Sequence, residues 1–340
     1  MKNVKCNTLV IGILVVGIFL FSSPSLGQEK QIELTFSTHM PAQHLTTQVA
    51  KSWTEEIEKR TNGRVKMTVF PGGTLLKADK CYDGVVRGIA DVGWVVLGVT
   101  KGRFPLTEVF DLPLGFKSGM SATILINEYY AKFKPKEFDE TQVMFFHGLA
   151  RMGIHSKKAI RRVEDFKGLK VRTTGSTARV ASSLGGIPVG MPVNEAYDAL
   201  ARGVVDATVG GFDALKGFRW AEVTKYSADI DGVGCTAAFG LFMNKGKWNA
   251  LPPDIQKIIE DVNKEWIVKQ GTAWDDVDKN GKAFGLKSGN EIISFSKEEN
   301  DKAAKAVKPM LDDYLQYTRK LGLPGDEALK FCADRLKELQ

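Results

Sequence analysis

The chain has 340 residues, 47 of them Lys or Arg and 40 Asp or Glu, and its formal charge of +7 is spread without any block of like sign. Such a balance suits acidic solutes and speaks against nucleic acid, because no run of Lys or Arg interleaves with aromatic residues. The 4 Cys and 4 His include no C-x-x-C, no H-E-x-x-H and no His pair at i, i+4, which argues against zinc or redox chemistry.

Residues 1–27 have the three parts of a secretory signal: Lys2 and Lys5, an apolar core from Leu9 to Phe21, and Ser25-Leu26-Gly27 as a small-x-small site before Gln28. The apolar run is shorter than the roughly 18 to 20 residues a membrane span requires. Cys6 precedes it, so a lipidated N-terminal Cys is not expected. Cleavage would release a periplasmic protein of formal charge +5, long enough for two domains of ordinary size. It would keep Cys81, Cys235 and Cys332, an odd set that makes no disulfide framework. Either all three are small buried side chains, or one bridge forms and one thiol stays free.

Ile32 to Ser37 alternates as a strand, and Thr38 to His44 reads as a loop. Leu45 to Arg60 carries Val49, Trp53 and Ile57 at fourfold spacing, a helix with one buried stripe that Thr61-Asn62-Gly63 stops. Arg64 to Phe70 returns as a strand and completes a βαβ unit. Pro71 to Leu76 turns into a helix through Arg87, and Gly88 sends the chain back into a strand through Trp94 to Val96. A Pro-punctuated connection from Gly102 to Pro113, a helix from Ser118 to Lys132 and a strand from Gln142 to His147 follow. A crossing into a second lobe is placed near Leu149-Ala150-Arg151.

Gly168 to Arg172 then alternates as a short strand ending on a cation, and Thr173, Thr174, Gly175 and Ser176 supply small polar residues that start a helix. A strand from Ile187 to Val189, a Met-Pro corner, a helix from Val193 to Ala201, Gly203 and a strand from Val205 to Val209 complete two more βαβ steps. Gly88-Ile89-Ala90-Asp91 and Gly203-Val204-Val205-Asp206 share one grammar: helix, Gly stop, apolar pair, Asp, strand. Two such halves facing each other make a cleft-type binding protein. Thr236 to Asn244 reads as a second crossing, and Pro252 to Lys279 as a long helix passing along both lobes. Helices at Lys297 to Leu321 and Asp326 to Leu339 are assigned to the second lobe. The expected architecture is α/β and two-lobed, with a ligand cleft between lobe I (28–150 with 237–278) and lobe II (151–236 with 279–340).

Arg172 is the first candidate for a site. A guanidinium at a strand end, facing the N–H groups of a helix start, favours an anion and forks a carboxylate. The ordinary alternative is a surface ion pair worth little. Arg151 and Lys158 are weaker candidates for a second anionic group, and solvated basic residues explain them equally well.

Lys167-Gly-Leu-Lys-Val-Arg172, Leu184-Gly-Gly-Ile-Pro-Val189 and Glu195-Ala-Tyr-Asp-Ala-Leu-Ala-Arg-Gly-Val-Val-Asp206 resemble the DctP-type periplasmic solute-binding proteins of TRAP (tripartite ATP-independent periplasmic) transporters. The resemblance runs from about Ile32 to the 320s. It implies that Arg172 clamps the carboxylate of an organic acid and that the partners are the small and large TRAP membrane subunits. The chain departs from the family pattern at Gly210, where many relatives have Asn, which removes a polar contact and opens space. Val96 or Leu97, and Val193, stand where relatives often have acidic or aromatic groups. The expected pocket is therefore apolar, with Trp94, Phe212 and also Trp220 able to stack on a planar ligand, against the alternative of core packing. His39, at the end of the first strand, is a candidate hydrogen-bond donor, with solvent exposure as the competing reading.

The expected function is capture of a small organic acid with an apolar body, aromatic or otherwise, mono- or dicarboxylate, by a monomer that needs no cofactor or metal, and its delivery to TRAP membrane subunits. A sensor component binding the same ligand is the alternative. A periplasmic enzyme is the third class, weakened by the lack of G-x-S-x-G, a Walker loop or a dinucleotide fingerprint. Gly210-Gly211 is too short to cradle a phosphate, and Asp91, Asp206 and Asp213 form no sequence motif for acid/base work.

Overall fold

The computed structural model describes residues 30–340 apart from Lys101 and Ser176, so the expected leader at 1–27 lies outside the described residues. In chain order the regular elements begin with β1 (Ile32–Ser37), α1 (Leu45–Arg60), β2 (Val65–Phe70), α2 (Cys81–Val86), β3 (Val92–Val96), α3 (Gly119–Phe133) and β4 (Thr141–Gly148). Then come β5 (Gly153–Ser156), β6 (Lys170–Thr173), α4 (Thr177–Ser183), β7 (Ile187–Gly190), α5 (Ala196–Ala201), β8 (Ala207–Gly210), α6 (Ala214–Gly217) and β9 (Tyr226–Asp229). The chain ends with β10 (Ala238–Asn244), α7 (Lys245–Asn249), α8 (Pro253–Lys287), β11 (Glu291–Ser294), α9 (Lys297–Val307), α10 (Pro309–Lys320) and α11 (Gly325–Glu338).

These strands build two sheets, ordered β2-β1-β3-β10-β4 and β11-β9-β5-β8-β6-β7, each the base of one lobe. In both, the βαβ steps read from the sequence give parallel neighbours: β1 beside β2 and β3, and β6 beside β7 and β8. Each sheet also takes an antiparallel strand where the chain crosses. β10 lies between β3 and β4, and β5 between β8 and β9.

The two Gly-x-x-Asp segments play one role twice. Gly88 and Gly203 adopt φ of 73° and 74°, and the following N–H groups of Ile89 and Val204 reach back to Gly84 O and Ala199 O. That closes each helix and leaves Asp91 and Asp206 beside the neighbouring parallel strand. Asp91 Oδ2 accepts from Thr35 N at 2.8 Å, and Asp206 Oδ2 from Lys170 N at 2.9 Å. Two residues beyond each accepted N–H stand Ser37 and Arg172, so the repeat makes Arg172 the second lobe's counterpart of Ser37.

Helix α8 runs for 35 residues, about 52 Å at 1.5 Å per residue, and ties the lobes together. Its first half packs on α1 and α3, where Trp53 Nε1 donates to Asn263 Oδ1 at 2.9 Å and Trp266 Nε1 to Val49 O at 2.9 Å. Its second half packs on α6 and β11. At Gly281 it lies so close to the second lobe that a Cβ there would sit 2.1 Å from Phe212 O. Among the described residues, no helix is long and apolar enough to cross a membrane.

The C-terminal region differs from expectation in two ways. Lys297 to Leu321 is two helices, because Pro309 has no N–H to continue the first and instead opens the second. The expected assignment of the whole region to lobe II also fails. Helix α9 does pack on α4, but Tyr314 of α10 donates to Leu106 O at 2.8 Å. Arg335 of α11 pairs with Glu128 of α3 at 2.7 Å, and Phe331 meets Phe133. Both helices therefore cover lobe I, since their apolar stripes find α3 and the 104–112 loop. Cys81, Cys235 and Cys332 are free buried thiols, with no bridge among them.

Gly281→Ala should destabilise the protein by about 1–3 kcal/mol, the usual cost of forcing an extra carbon into a packed contact. Urea unfolding measures it, and an unchanged midpoint would show that α8 is free to shift away from Phe212.

Candidate ligand-binding site

Arg172 is the third residue of β6, a central strand flanked by β7 and β8, and only 2% of it is exposed. Its Nε donates to Met191 O at 3.1 Å and its Nη1 to Val209 O at 3.3 Å, so carbonyls at the ends of both neighbouring strands orient the guanidinium. Its Nη2 is buried and has no partner among the described residues. Among the described residues no carboxylate pairs with this cation. Burial lowers its pKa to about 10, opposed by the field of Glu195, so Arg172 still carries its charge at neutral pH. A buried charge held only by neutral carbonyls is costly, and an incoming anion relieves that cost. The helix start expected to assist contributes little, because its Thr177 and Ala178 N–H groups already donate to Thr174 O at 3.1 Å and Gly175 O at 3.3 Å.

The Trp220 ring lies 6.0 Å from the Arg172 guanidinium carbon. It also occupies the room expected at Gly210, where a Cβ would come within 2.7 Å of its Cη2. Gly210 therefore opens no space for a ligand; it admits Trp220 beside Arg172. His155 fixes the same turn, its Nε2–H donating to Gly210 O at 3.2 Å while Nδ1 contacts Ser227 Oγ at 2.8 Å.

Lobe I contributes an aromatic wall. Trp94 and His147 meet edge to face with ring centroids 4.5 Å apart, and Phe239 stacks on Trp274 at 5.1 Å and on His147 at 5.1 Å. Trp274, from α8, donates its Nε1–H to His147 Nδ1 at 2.8 Å, which makes Nδ1 the acceptor and places the proton of neutral His147 on Nε2. Trp94 Nε1, His147 Nε2, His39 Nδ1 and Ser37 Oγ are all buried without a partner among the described residues. Burial, with neighbouring histidines second, lowers His39 to about 4 and takes His147 well below the ordinary imidazole range, so both are neutral.

The two lobes touch along this wall. His44 Nε2–H donates to Asp213 Oδ2 at 3.1 Å, Asn194 Nδ2 reaches His39 O at 3.5 Å, and Arg179 lies 3.9 Å from Glu108. Gly175, at φ 53°, is so close to lobe I that a Cβ would stand 1.7 Å from Gly98 O. Asp213 is four residues past Val209, whose carbonyl orients Arg172, so His44 reaches the loop that follows this strand.

Residues 36–317 match the family described as bacterial extracellular solute-binding protein, family 7 (DctP). The chain belongs to this family. A TRAP solute-binding protein from Rhodoferax ferrireducens, crystallised with copurified benzoate, is 28% identical, superposes with a TM-score of 0.85, and the match covers 91% of this chain and 98% of that one. A marine metagenome TRAP solute-binding protein specific for aromatic acid ligands, in complex with 3-hydroxybenzoate, is 27% identical with a TM-score of 0.86, over 91% and 99% of the two chains. A monocarboxylate 2-oxoacid-binding periplasmic protein of Nostoc is 29% identical over 73% of this chain and 70% of its own.

As a DctP-family protein the chain keeps Arg172 in the interior, whereas several other candidates fall elsewhere. Arg151 is engaged by Asp229 at 2.6 Å and by Asp231, so its charge is already met. Lys158 is exposed beyond the end of β5, and because β5 runs antiparallel to β8 that end is opposite to Val209 and Gly210. Phe212 is fully buried in lobe II under Lys282, whose ammonium stands 4.4 Å from the ring centroid, and is no stacking surface for a ligand. Val193 packs partly against that same small core. His39 is buried, not solvent-exposed as the competing reading had it. His147, Phe239 and Trp274 were missed, since ordinary core spacing disguises all three.

His39 and His155 both titrate near 4, lowered mainly by burial, against 6.5 for a free imidazole. The unfolded chain therefore binds more protons than the folded one between these values. Stability should be full above about pH 6.5 and fall as the pH is lowered towards about 4. Melting temperatures over that range check the sign, and a rise on acidification would contradict it.

Proposed function

We propose that this protein captures a small organic acid by its carboxylate on Arg172, encloses it between the lobes, and presents the closed form to the small and large TRAP membrane subunits. The observation that carries the reading is the buried Arg172 guanidinium with a free Nη2 donor and no carboxylate partner among the described residues. The relatives that bind benzoate, 3-hydroxybenzoate and 2-oxoacids support an acid ligand, and the wall of Trp94, Phe239 and Trp274 supports an aromatic body. In this reading the lobes move as bodies, 31–150 with 237–278 and 309–340 against 151–236 with 279–308. The chain is exported with cleavage near Gly27, acts as a monomer and catalyses no reaction.

Closure follows from linkage: a ligand that touches both lobes favours the state in which it does so. A thermal-shift screen of aromatic and aliphatic monocarboxylates, dicarboxylates and sugar acids identifies the class, because a ligand binding only the folded state raises the melting temperature. Charge-assisted hydrogen bonds contribute on the order of 1.5–3 kcal/mol, so Arg172→Ala should weaken binding of the best acid by about tenfold or more. Arg172→Lys should restore only part of it, since the fork is lost. Calorimetry decides, and an unchanged affinity in Arg172→Ala removes the anchor.

A further inference from the structure

We infer that Trp94 Nε1–H and His147 Nε2–H form a donor pair that selects aromatic acids carrying a hydroxyl or oxo oxygen on the side of the ring away from the carboxylate. The inference rests on the Arg172 reading and adds the other end of the ligand. Both side chains are 0% exposed, and neither donor has a partner among the described residues. A buried N–H without an acceptor is costly, and an oxygen atom accepting from both rings, whose centroids lie 4.5 Å apart, would relieve both.

The direction of both donors is set by chemistry on the page. An indole nitrogen only donates. His147 cannot turn an acceptor to the same place, because Nδ1 is occupied by the Trp274 N–H at 2.8 Å and burial keeps the ring neutral, leaving the proton on Nε2. Phe239 and Trp274, stacked at an interplanar angle of 8°, hold His147 from the side, so the ring does not swing to find another partner. A carboxylate at this wall would be served by no cation, whereas a hydroxyl or carbonyl oxygen needs none. The hydrogen of a hydroxyl has Ser37 Oγ and His39 Nδ1, both buried and unpartnered, on the same lobe.

Calorimetric titration of benzoate, 3- and 4-hydroxybenzoate, and 3- and 4-methylbenzoate against the wild-type protein and Trp94→Phe tests the idea. The methyl acids match the hydroxy acids in size and lack the oxygen. In wild type the better hydroxy acid should bind at least about tenfold tighter than its methyl counterpart, as expected where a built hydrogen bond is lost to an isostere. In Trp94→Phe, which keeps an aromatic ring and removes the N–H, that ratio should shrink to about threefold or less. Equal or tighter binding of the methyl acid to wild type overturns the inference without any variant, so a poorly folding Trp94→Phe does not protect it. An unchanged ratio in a folded Trp94→Phe overturns it as well. If aromatic acids fail and other carboxylates bind in an Arg172-dependent way, this inference falls and the anchor stands; if no carboxylate binds, the anchor falls too.

Discussion

A guanidinium removed from water and left without a carboxylate is the constraint on which this molecule depends. Arg172 is oriented by two carbonyls, Met191 O and Val209 O, that face it only because β7 and β8 flank β6 as parallel neighbours. Neutral carbonyls offset part of the desolvation cost and leave the charge unneutralised. Three carboxylates that follow β7 in the second lobe are committed elsewhere, Asp206 to Lys170 N, Asp213 to His44 and Asp229 to Arg151, while Glu195 acts on Arg172 through its field. Keeping acids busy around a lone cation preserves its attraction for an acid from outside.

The internal repeat explains why the two halves of the site differ in character. In each lobe a Gly-stopped helix delivers an Asp to the adjacent parallel strand, and the residue two positions beyond the contact sits at the strand's forward end. Lobe I places Ser37 there and lobe II Arg172, so the same backbone device presents a hydroxyl on one side and a charge on the other. Around Ser37 the wall is aromatic and neutral, with histidines that burial keeps unprotonated. On the proposed function, an anion would be drawn to one lobe and its uncharged remainder to the other.

The parallel βαβ units were legible because each carries its own signals: period-two strands, apolar stripes at fourfold spacing, and glycines where helices stop. Arg172 was legible for the same reason, as a cation at the end of such a strand. β5, β9 and β11 were not: β6, β7 and β8 are equally short, but these three are set by pairing with strands distant in the chain. Lys158 misled because its position depends on the direction of β5, which only the pairing with β8 reveals. Gly210 misled in a different way: the space left by a missing side chain belongs to whatever packs there, and Trp220 lies ten residues downstream. The aromatic wall draws on β3, β4, β10 and α8, and no local pattern joins Trp94, His147, Phe239 and Trp274.

Contacts between the lobes include His44 with Asp213, Asn194 with His39 O, a loose Arg179–Glu108 pair, the close passage of Gly175 over Gly98, and the Gly115 and Phe116 N–H groups on Gly234 O. The partly exposed Arg179–Glu108 pair contributes about 0–1 kcal/mol, whereas His44 and Asp213 meet in a buried contact. Against them stands the burial of unpartnered donors from both lobes, Arg172 Nη2, Trp220 Nε1, Trp94 Nε1 and His147 Nε2. Each costs about 1–3 kcal/mol while unmet. In the proposed closure, these unmet donors oppose the contacts between the lobes. A ligand that accepts from both lobes relieves that opposition, and a ligand that meets only one has no differential affinity with which to shift the equilibrium. On the proposed function, closure would read chemical fit at both ends of the bound molecule, and α8, packed along both lobes, would keep the two halves in register.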